Sequence, residues 1–181
     1  MRVIGGSARG RLFDAPPGTD TRPITDRAKE AIFNMVHSLG GLHGATVLDC
    51  YAGSGSFGIE SLSRGADAAI FVERSRRAVA VLHKNLTKLG MADQATVIVA
   101  PVEHALRTMA AVDVAFLDPP YALDPWGELF QTVPATLVVG HADHEVVIPE
   151  EWEELRRRKY GRSRIFLARR DLKYPTAPDP G

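Results

Sequence analysis

From Ala45 onward the chain alternates between short apolar runs and amphipathic stretches, and few folds accommodate that order. ATVLDC, AAIFVE, ATVIVA, VDVAFLD and ATLVVG read as strands. SFGIESLSRG, SRRAVAVLHKNLTKLG, VEHALRTM and a stretch near Pro125 to Thr132 lie between them and read as helices. Parallel strands need a crossover, so this alternation predicts a parallel sheet with helices on both faces. The last segment, LRRRKYGRSRIFLARR, reads as a hairpin turning near Gly161, which adds an antiparallel edge. The expectation is therefore α/β and Rossmann-like: a mostly parallel seven-stranded sheet with helices on both faces and an antiparallel C-terminal hairpin. Ligands of such sheets bind beyond the carboxyl ends of the strands.

The chain before Ala45 has another character. Residues 1 to about 24 are rich in Gly, Pro and Arg and predict short strands at most. Thr25 then N-caps a helix through DRAKEAIFNMVHSL, with Ala28, Ile32, Met35, Val36 and Leu39 on one face and Gly40-Gly41 at its end. A later helix has Ser75 as cap, the stripe Ala78, Val79, Leu82, Leu86 and Leu89, and Gly90 as stop. The division expected is an N-terminal extension over 1–40, a core over 41–174, and a frayed tail over 175–181.

Apolar residues make up 45% of the 181, enough for a core. No apolar run approaches the roughly 18 residues of a membrane span, and the N-terminus has no secretory apolar region. The single cysteine, Cys50, excludes a disulfide framework and a Cys-based metal cluster. The simplest address is the cytoplasm. Lys and Arg together number 22, as do Asp and Glu, yet the cations cluster. Arg2, Arg9 and Arg11 open the chain, and Arg156, Arg157, Arg158, Lys159, Arg162, Arg164, Arg169 and Arg170 crowd its end. Such clusters on a neutral chain are either a polyanion footprint or a solvated strand face.

The first strand runs into LDCYAGSGSFG, where Gly53, Gly55 and Gly58 match G-x-G-x-x-G and Glu73 ends the second strand. Alone, the pattern also fits a dinucleotide oxidoreductase. Asp49 separates the readings, because a carboxylate beside a pyrophosphate repels it. An acid there suits a ligand with an amino group and no phosphates. S-adenosylmethionine carries an ammonium, a sulfonium and a ribose. Asp49 would orient its amino acid part and Glu73 would accept from the ribose hydroxyls. The plain alternative is that Asp49 caps a turn and the glycines tighten it.

The fourth strand ends in Asp118-Pro119-Pro120-Tyr121. Two prolines hold a rigid extended backbone whose carbonyls lie outside a ladder. A planar substrate with an exocyclic NH2 fits this set. One N–H goes to the Asp118 carboxylate, the other to the Pro119 carbonyl, and Tyr121 stacks on the ring. An aryl amine is a poor nucleophile, and acceptors on both its hydrogens favour a pyramidal nitrogen with an available lone pair. A base inside a helix cannot reach such a pocket, so it is flipped or unpaired.

Together, DPPY and D-x-x-x-G-x-G resemble the class I S-adenosylmethionine-dependent amino methyltransferases. The stretches RVIGGSARGRLFDAPPGTDTRPITDRAKEAIFNMV, AGSGSFGIESLSRGA and VER are similar to the bacterial family that methylates guanine N2 in 16S ribosomal RNA (the RsmD type). The resemblance runs from Arg2 to about Arg169. It implies S-adenosylmethionine at Asp49, Ala52, Gly53, Ser54, Gly55, Glu73 and Arg74, with Val102 and Glu103 near the adenine. It implies the guanine at Asp118, Pro119, Pro120 and Tyr121. Arg2, Arg9, Arg11, Arg22 and Arg27 would meet RNA or shape the cofactor pocket's lid. The implied partner is 16S rRNA within a 30S subunit or an assembly intermediate, met by a monomer without a metal. Ile24 stands where Thr is commoner in the family, and Cys50-Tyr51 where Leu-Phe is commoner; these read as packing changes.

The remaining candidates have plainer readings. His141 and His144 form H-x-x-H without the partners a metal needs. His37, His43, His83 and His104 read as surface or helix residues, Cys50 as a small core residue, and Trp126 and Trp152 as packing, with Trp126 near enough to rim the substrate pocket. The rival functions are a DNA adenine-N6 or cytosine-N4 methyltransferase, a protein glutamine methyltransferase, an NAD oxidoreductase, and an inactive nucleic-acid-binding protein.

Overall fold

The computed structural model describes residues 1–15 and 24–171. Arg22 and the tail 175–181 lie outside the described residues. Helix α1 (Asp26–His37) is followed by β1 (Thr46–Cys50), α2 (Ser56–Ser63), β2 (Ala68–Val72), α3 (Arg76–Leu89), β3 (Ala95–Ile98), α4 (Val102–Leu106), β4 (Val112–Leu117), α5 (Trp126–Thr132), β5 (Ala135–Ala142), β6 (Glu153–Tyr160) and β7 (Ser163–Arg169). The strands form one sheet in the order β3-β2-β1-β4-β5-β7-β6. Strands β1 to β5 are parallel, and β7 is antiparallel to both β5 and β6. This is the mostly parallel, Rossmann-like sheet with an antiparallel C-terminal hairpin expected from the alternation. The order reverses between β2 and β4, so β1 borders the crevice where the sheet switches direction.

Three helix ends have a local cause. Thr25 accepts a hydrogen bond from the Ala28 amide at 3.2 Å, and Ser75 does the same for Ala78. Gly90, in the left-handed region at φ 72°, lets the chain leave α3. All five stripe residues of α3 are buried. A one-turn 3-10 helix, Ala92–Gln94, was not anticipated between α3 and β3.

Helix α1 buries a different face from the one expected. Ala28, Ile32 and Val36 are buried, but so are Lys29 and Phe33, while Met35 is half-buried and Leu39 is exposed. Lys29 lies against the N-terminal segment, its Nζ 5.5 Å from the Phe13 ring centroid, while Phe33 packs on Phe57 of α2 and on Phe116. Glu60 of α2, fully buried, accepts from the Ile4 amide at 2.8 Å, the Gly5 amide at 2.7 Å and Arg64 Nε at 2.8 Å. Lys29 Nζ stands 3.5 Å from the same carboxylate and donates to the Arg2 carbonyl at 3.0 Å. A buried charge is tolerated only when paired and hydrogen-bonded, and here the pairing ties the first residues to the core. Asn85 of α3 does the same further on. Its amide donates to the Asp14 and Ser54 carbonyls and accepts from the Asp14 amide. Val3, Ala8 and Phe13 join the apolar cluster on the α1 face of the sheet, and α4 and α5 cover the other face.

Candidate functional site

Four strands deliver chemistry to one edge. β1 ends with Asp49-Cys50, β2 runs into Glu73, β4 runs into Asp118, and β5 carries His141 one residue before its end. In the ladders Asp49 stands opposite both Phe71 and Phe116, so the ends are level. The edge opens into a cavity of about 420 Å³, within the range of small-molecule sites. Met1, Ala15 and Ile24 of the N-terminal segment form part of its wall.

Asp49 is almost completely buried, and its Oδ2 accepts from the Gly58 amide at 2.8 Å, near the start of α2. Burial pushes its carboxyl up to about 8, against the opposing effect of that hydrogen bond. Asp49 thus does cap a turn, and it also lines the cavity. Glu73 accepts from the Gly53 amide at 2.9 Å and the Ser75 amide at 2.7 Å, holding the glycine loop against α3. The glycines have separate tasks. A Cβ on Gly58 would fall 2.2 Å from the Phe71 ring, and one on Gly55 2.5 Å from Leu82, so the first permits close approach of α2 to β2 and the second of the loop to α3. Gly53 meets nothing nearer than 3.9 Å and faces the cavity at φ 54°. Ala52, Ser54 and Arg74 also line it, as do Val102 and Glu103 from the start of α4.

Tyr51 does more than pack. Among the described residues it is the one non-glycine with positive φ, at 60°. This places its hydroxyl within 2.7 Å of Glu103 Oε1, to which it donates. Burial and the Glu103 carboxylate push the phenol well above its ordinary range, so it remains a donor.

Asp118 is one-third exposed, and its Oδ1 lies 2.8 Å from Nδ1 of the buried His141. The second oxygen remains available to the cavity. The Pro120 carbonyl accepts from the Leu123 amide at 2.8 Å, while no backbone donor reaches the Pro119 carbonyl among the described residues. The Tyr121 ring is 45% exposed and meets His141 edge-on at 6.0 Å. Two buried polar atoms on the cavity wall have no partner, Ser56 Oγ and His141 Nε2. Buried polar atoms are normally satisfied, so both await a ligand or solvent.

His141 is the residue that sequence reasoning missed. The sequence sets it beside His144 as an H-x-x-H without metal partners and gives it no other role. His144 instead contacts Asp143 at 3.0 Å, and the described residues contain no group of three metal-ligating side chains. The usable signal was position, since a histidine at the carboxyl end of a strand beside the Asp118 strand belongs to the ligand edge. Trp126 does not rim the pocket; it is buried against Phe130 and Phe166.

The arginines divide. Arg2 pairs with Asp26 at 2.8 Å, and Arg11 donates to the Leu89 carbonyl at 2.9 Å and to that of Lys88, capping α3. Arg9 and Arg27 are exposed.

The family described as conserved hypothetical protein 95 matches residues 1–169. The YlbH protein of Bacillus subtilis, whose name gives rRNA methylation as a provisional activity, is 37% identical, the match covering 92% of this chain and 97% of that protein. The ribosomal RNA small subunit methyltransferase D of Haemophilus influenzae is 32% identical over 89% of each. The solved structure of yhhF from Escherichia coli, a methyltransferase by provisional title, superposes with a TM-score of 0.82 at 31% identity and covers 94% of this chain and 98% of that one. The chain belongs to the conserved hypothetical protein 95 family, which is the RsmD-type methyltransferase family.

Proposed function

We propose that this protein transfers a methyl group from S-adenosylmethionine to the exocyclic N2 amine of a guanine in 16S rRNA, within a 30S subunit or an assembly intermediate, and that it acts as a cytoplasmic monomer. The observation that carries the reading is the convergence of Asp49, Glu73, Asp118 and Tyr121 on one cavity. The names of the relatives support the substrate class.

S-adenosylmethionine supplies an electrophilic methyl group on a sulfonium. The residues suit it. Asp49 is a buried carboxylate facing the cavity, where an ammonium would restore its charge. Glu73 has lone pairs left for ribose hydroxyls. Tyr51 holds Glu103 at the wall where an adenine would lie.

The Asp118 carboxylate, through the oxygen His141 leaves free, accepts one N–H of the guanine amine, and the Pro119 carbonyl accepts the other. Both contacts raise the electron density on the nitrogen and aim its lone pair. Tyr121, nearly half exposed, offers its face to the base. As the nitrogen forms its bond to the methyl, the methyl–sulfur bond of the donor would break and the sulfur leave as a neutral thioether; the nitrogen loses one proton, which Asp118 takes and passes to solvent. His141 restrains the Asp118 rotamer throughout. Catalysis here is positioning and electrostatic preorganisation.

The test is to supply methyl-labelled S-adenosylmethionine and undermethylated bacterial 30S subunits, digest the rRNA and identify the labelled nucleoside. Label in N2-methylguanosine is the expected result. Label in another nucleoside, in DNA or in protein overturns the assignment.

A further inference from the structure

The ligand edge carries a second surface that the reading above leaves unused. In the β5–β7 ladder Ala142 stands opposite Arg164, and Tyr160 pairs with Ser163 across the hairpin. The β6–β7 turn, Gly161-Arg162, therefore projects from the same edge as Asp118 and His141. The Ser163 hydroxyl and the Arg162 guanidinium both act on the Tyr121 phenol, against the upward push of burial.

The hairpin's cations fall into two groups. Arg157 is held by Glu154 at 2.8 Å and Glu145 at 3.0 Å, Arg164 by Glu145 at 2.8 Å, and Arg169 by Glu153 at 2.7 Å. Arg170 folds over the Trp152 ring and donates to the Phe130 carbonyl. Arg156, Arg158, Lys159 and Arg162 are exposed, and no ion pair reaches them among the described residues. Three of these four sit at or beside the turn. Lys159 is also placed directly opposite Arg164 in the ladder, an arrangement of like charges that costs stability. Glu145 offsets the charge of Arg164 but not that of Lys159, which an anionic partner would offset.

We propose that the β6–β7 turn, through Arg158, Lys159 and Arg162, binds backbone phosphates of the RNA strand beside the target base. This rests on RNA being the substrate. Drawing a base out of its stack is unfavourable and must be offset by other contacts. Phosphate contacts next to that base position the strand without reading its sequence. The turn stands beside Tyr121, so it meets the strand next to the ring on which the base stacks.

The test is binding of a fluorescently labelled hairpin RNA to the full chain, followed by anisotropy across a potassium chloride series. Each lost phosphate contact reduces the slope of log affinity against log salt by roughly 0.7 to 0.9. The variant carrying Arg158→Gln, Lys159→Gln and Arg162→Gln is expected to lose about 2 from that slope and to keep the wild-type affinity for S-adenosylmethionine. Arg169→Gln, at the far end of the hairpin, is expected to leave the slope alone. Equal slopes in the triple variant and the wild type overturn the proposal while leaving the RNA reading in place. A wild-type chain that binds no RNA overturns both.

Discussion

His141 Nδ1 lies 2.8 Å from Asp118 Oδ1, and the imidazole is buried while the carboxylate is one-third exposed. A buried ring therefore fixes one oxygen of an acid that lines the cavity, and leaves the other without that partner. His141→Ala removes that restraint. A hydrogen bond to a charged group contributes roughly 1.5 to 3 kcal/mol, so kcat is expected to fall by about 10- to 100-fold. S-adenosylmethionine affinity should stay unchanged. His141→Asn, whose amide can donate from nearly the same place, should recover part of the rate. A merely structural role predicts no such rescue, and parallel stability measurements on both variants separate the two.

Asp49 gives a pH signature. Its carboxyl is raised to about 8 by burial, so the ligand-free protein holds that proton at neutral pH. A bound ammonium favours the ionised form, and binding must then release the proton. S-adenosylmethionine affinity should rise with pH up to about 8 and level off above it. Calorimetry at neutral pH in buffers of different ionisation heat should show proton release, and Asp49→Asn should abolish it. The sign for folding is opposite. Between the ordinary carboxylate range and about 8, the unfolded chain has lost this proton and the folded chain keeps it. Asp49 therefore lowers stability as pH rises through that window, an effect Asp49→Asn removes.

The clamp on the N-terminal segment is open to a stability measurement. Glu60 is fully buried, and two backbone amides and two cations converge on it. Removing one partner of a buried pair costs roughly 3 to 5 kcal/mol because the other charge is left unpaired. Glu60→Ala should lower the urea midpoint accordingly, without changing the urea dependence. Lys29→Met, made alone, loses the charge but leaves Glu60 with Arg64 and the amides, and should cost less. An equal midpoint for Glu60→Ala and wild type contradicts the clamp.

Much of this was legible because the signals are local. Strand–helix alternation, the Ser75 and Thr25 caps, and the Gly90 and Gly161 turns depend on a few neighbouring residues, and all appear where expected. The ligand edge was legible for a topological reason, since parallel order puts Asp49, Glu73 and Asp118 together whatever the loops do. The failures are non-local. Lys29 on α1 is buried under the N-terminal segment and Phe33 against Phe57 and Phe116, partners distant in sequence that no helical periodicity records. Arg11 stands in a basic stretch, and nothing near it in sequence marks the capping of α3 some 78 residues along. His141 becomes meaningful only when β4 and β5 are neighbours. Tyr51, read as packing, reaches Glu103 because its backbone is left-handed, which its side-chain type gives no reason to expect.

The central claim is that the Asp118-led tetrad performs the transfer while the glycine-loop side of the cavity holds the cofactor. It is tested most directly by single-turnover methyl transfer to undermethylated 30S subunits with Asp118→Ala, alongside calorimetric titration of the same variant with S-adenosylmethionine. Loss of a preorganised transition-state contact predicts a rate lower by about two orders of magnitude or more, with affinity for the methyl donor intact. An undiminished rate in that variant would contradict the account.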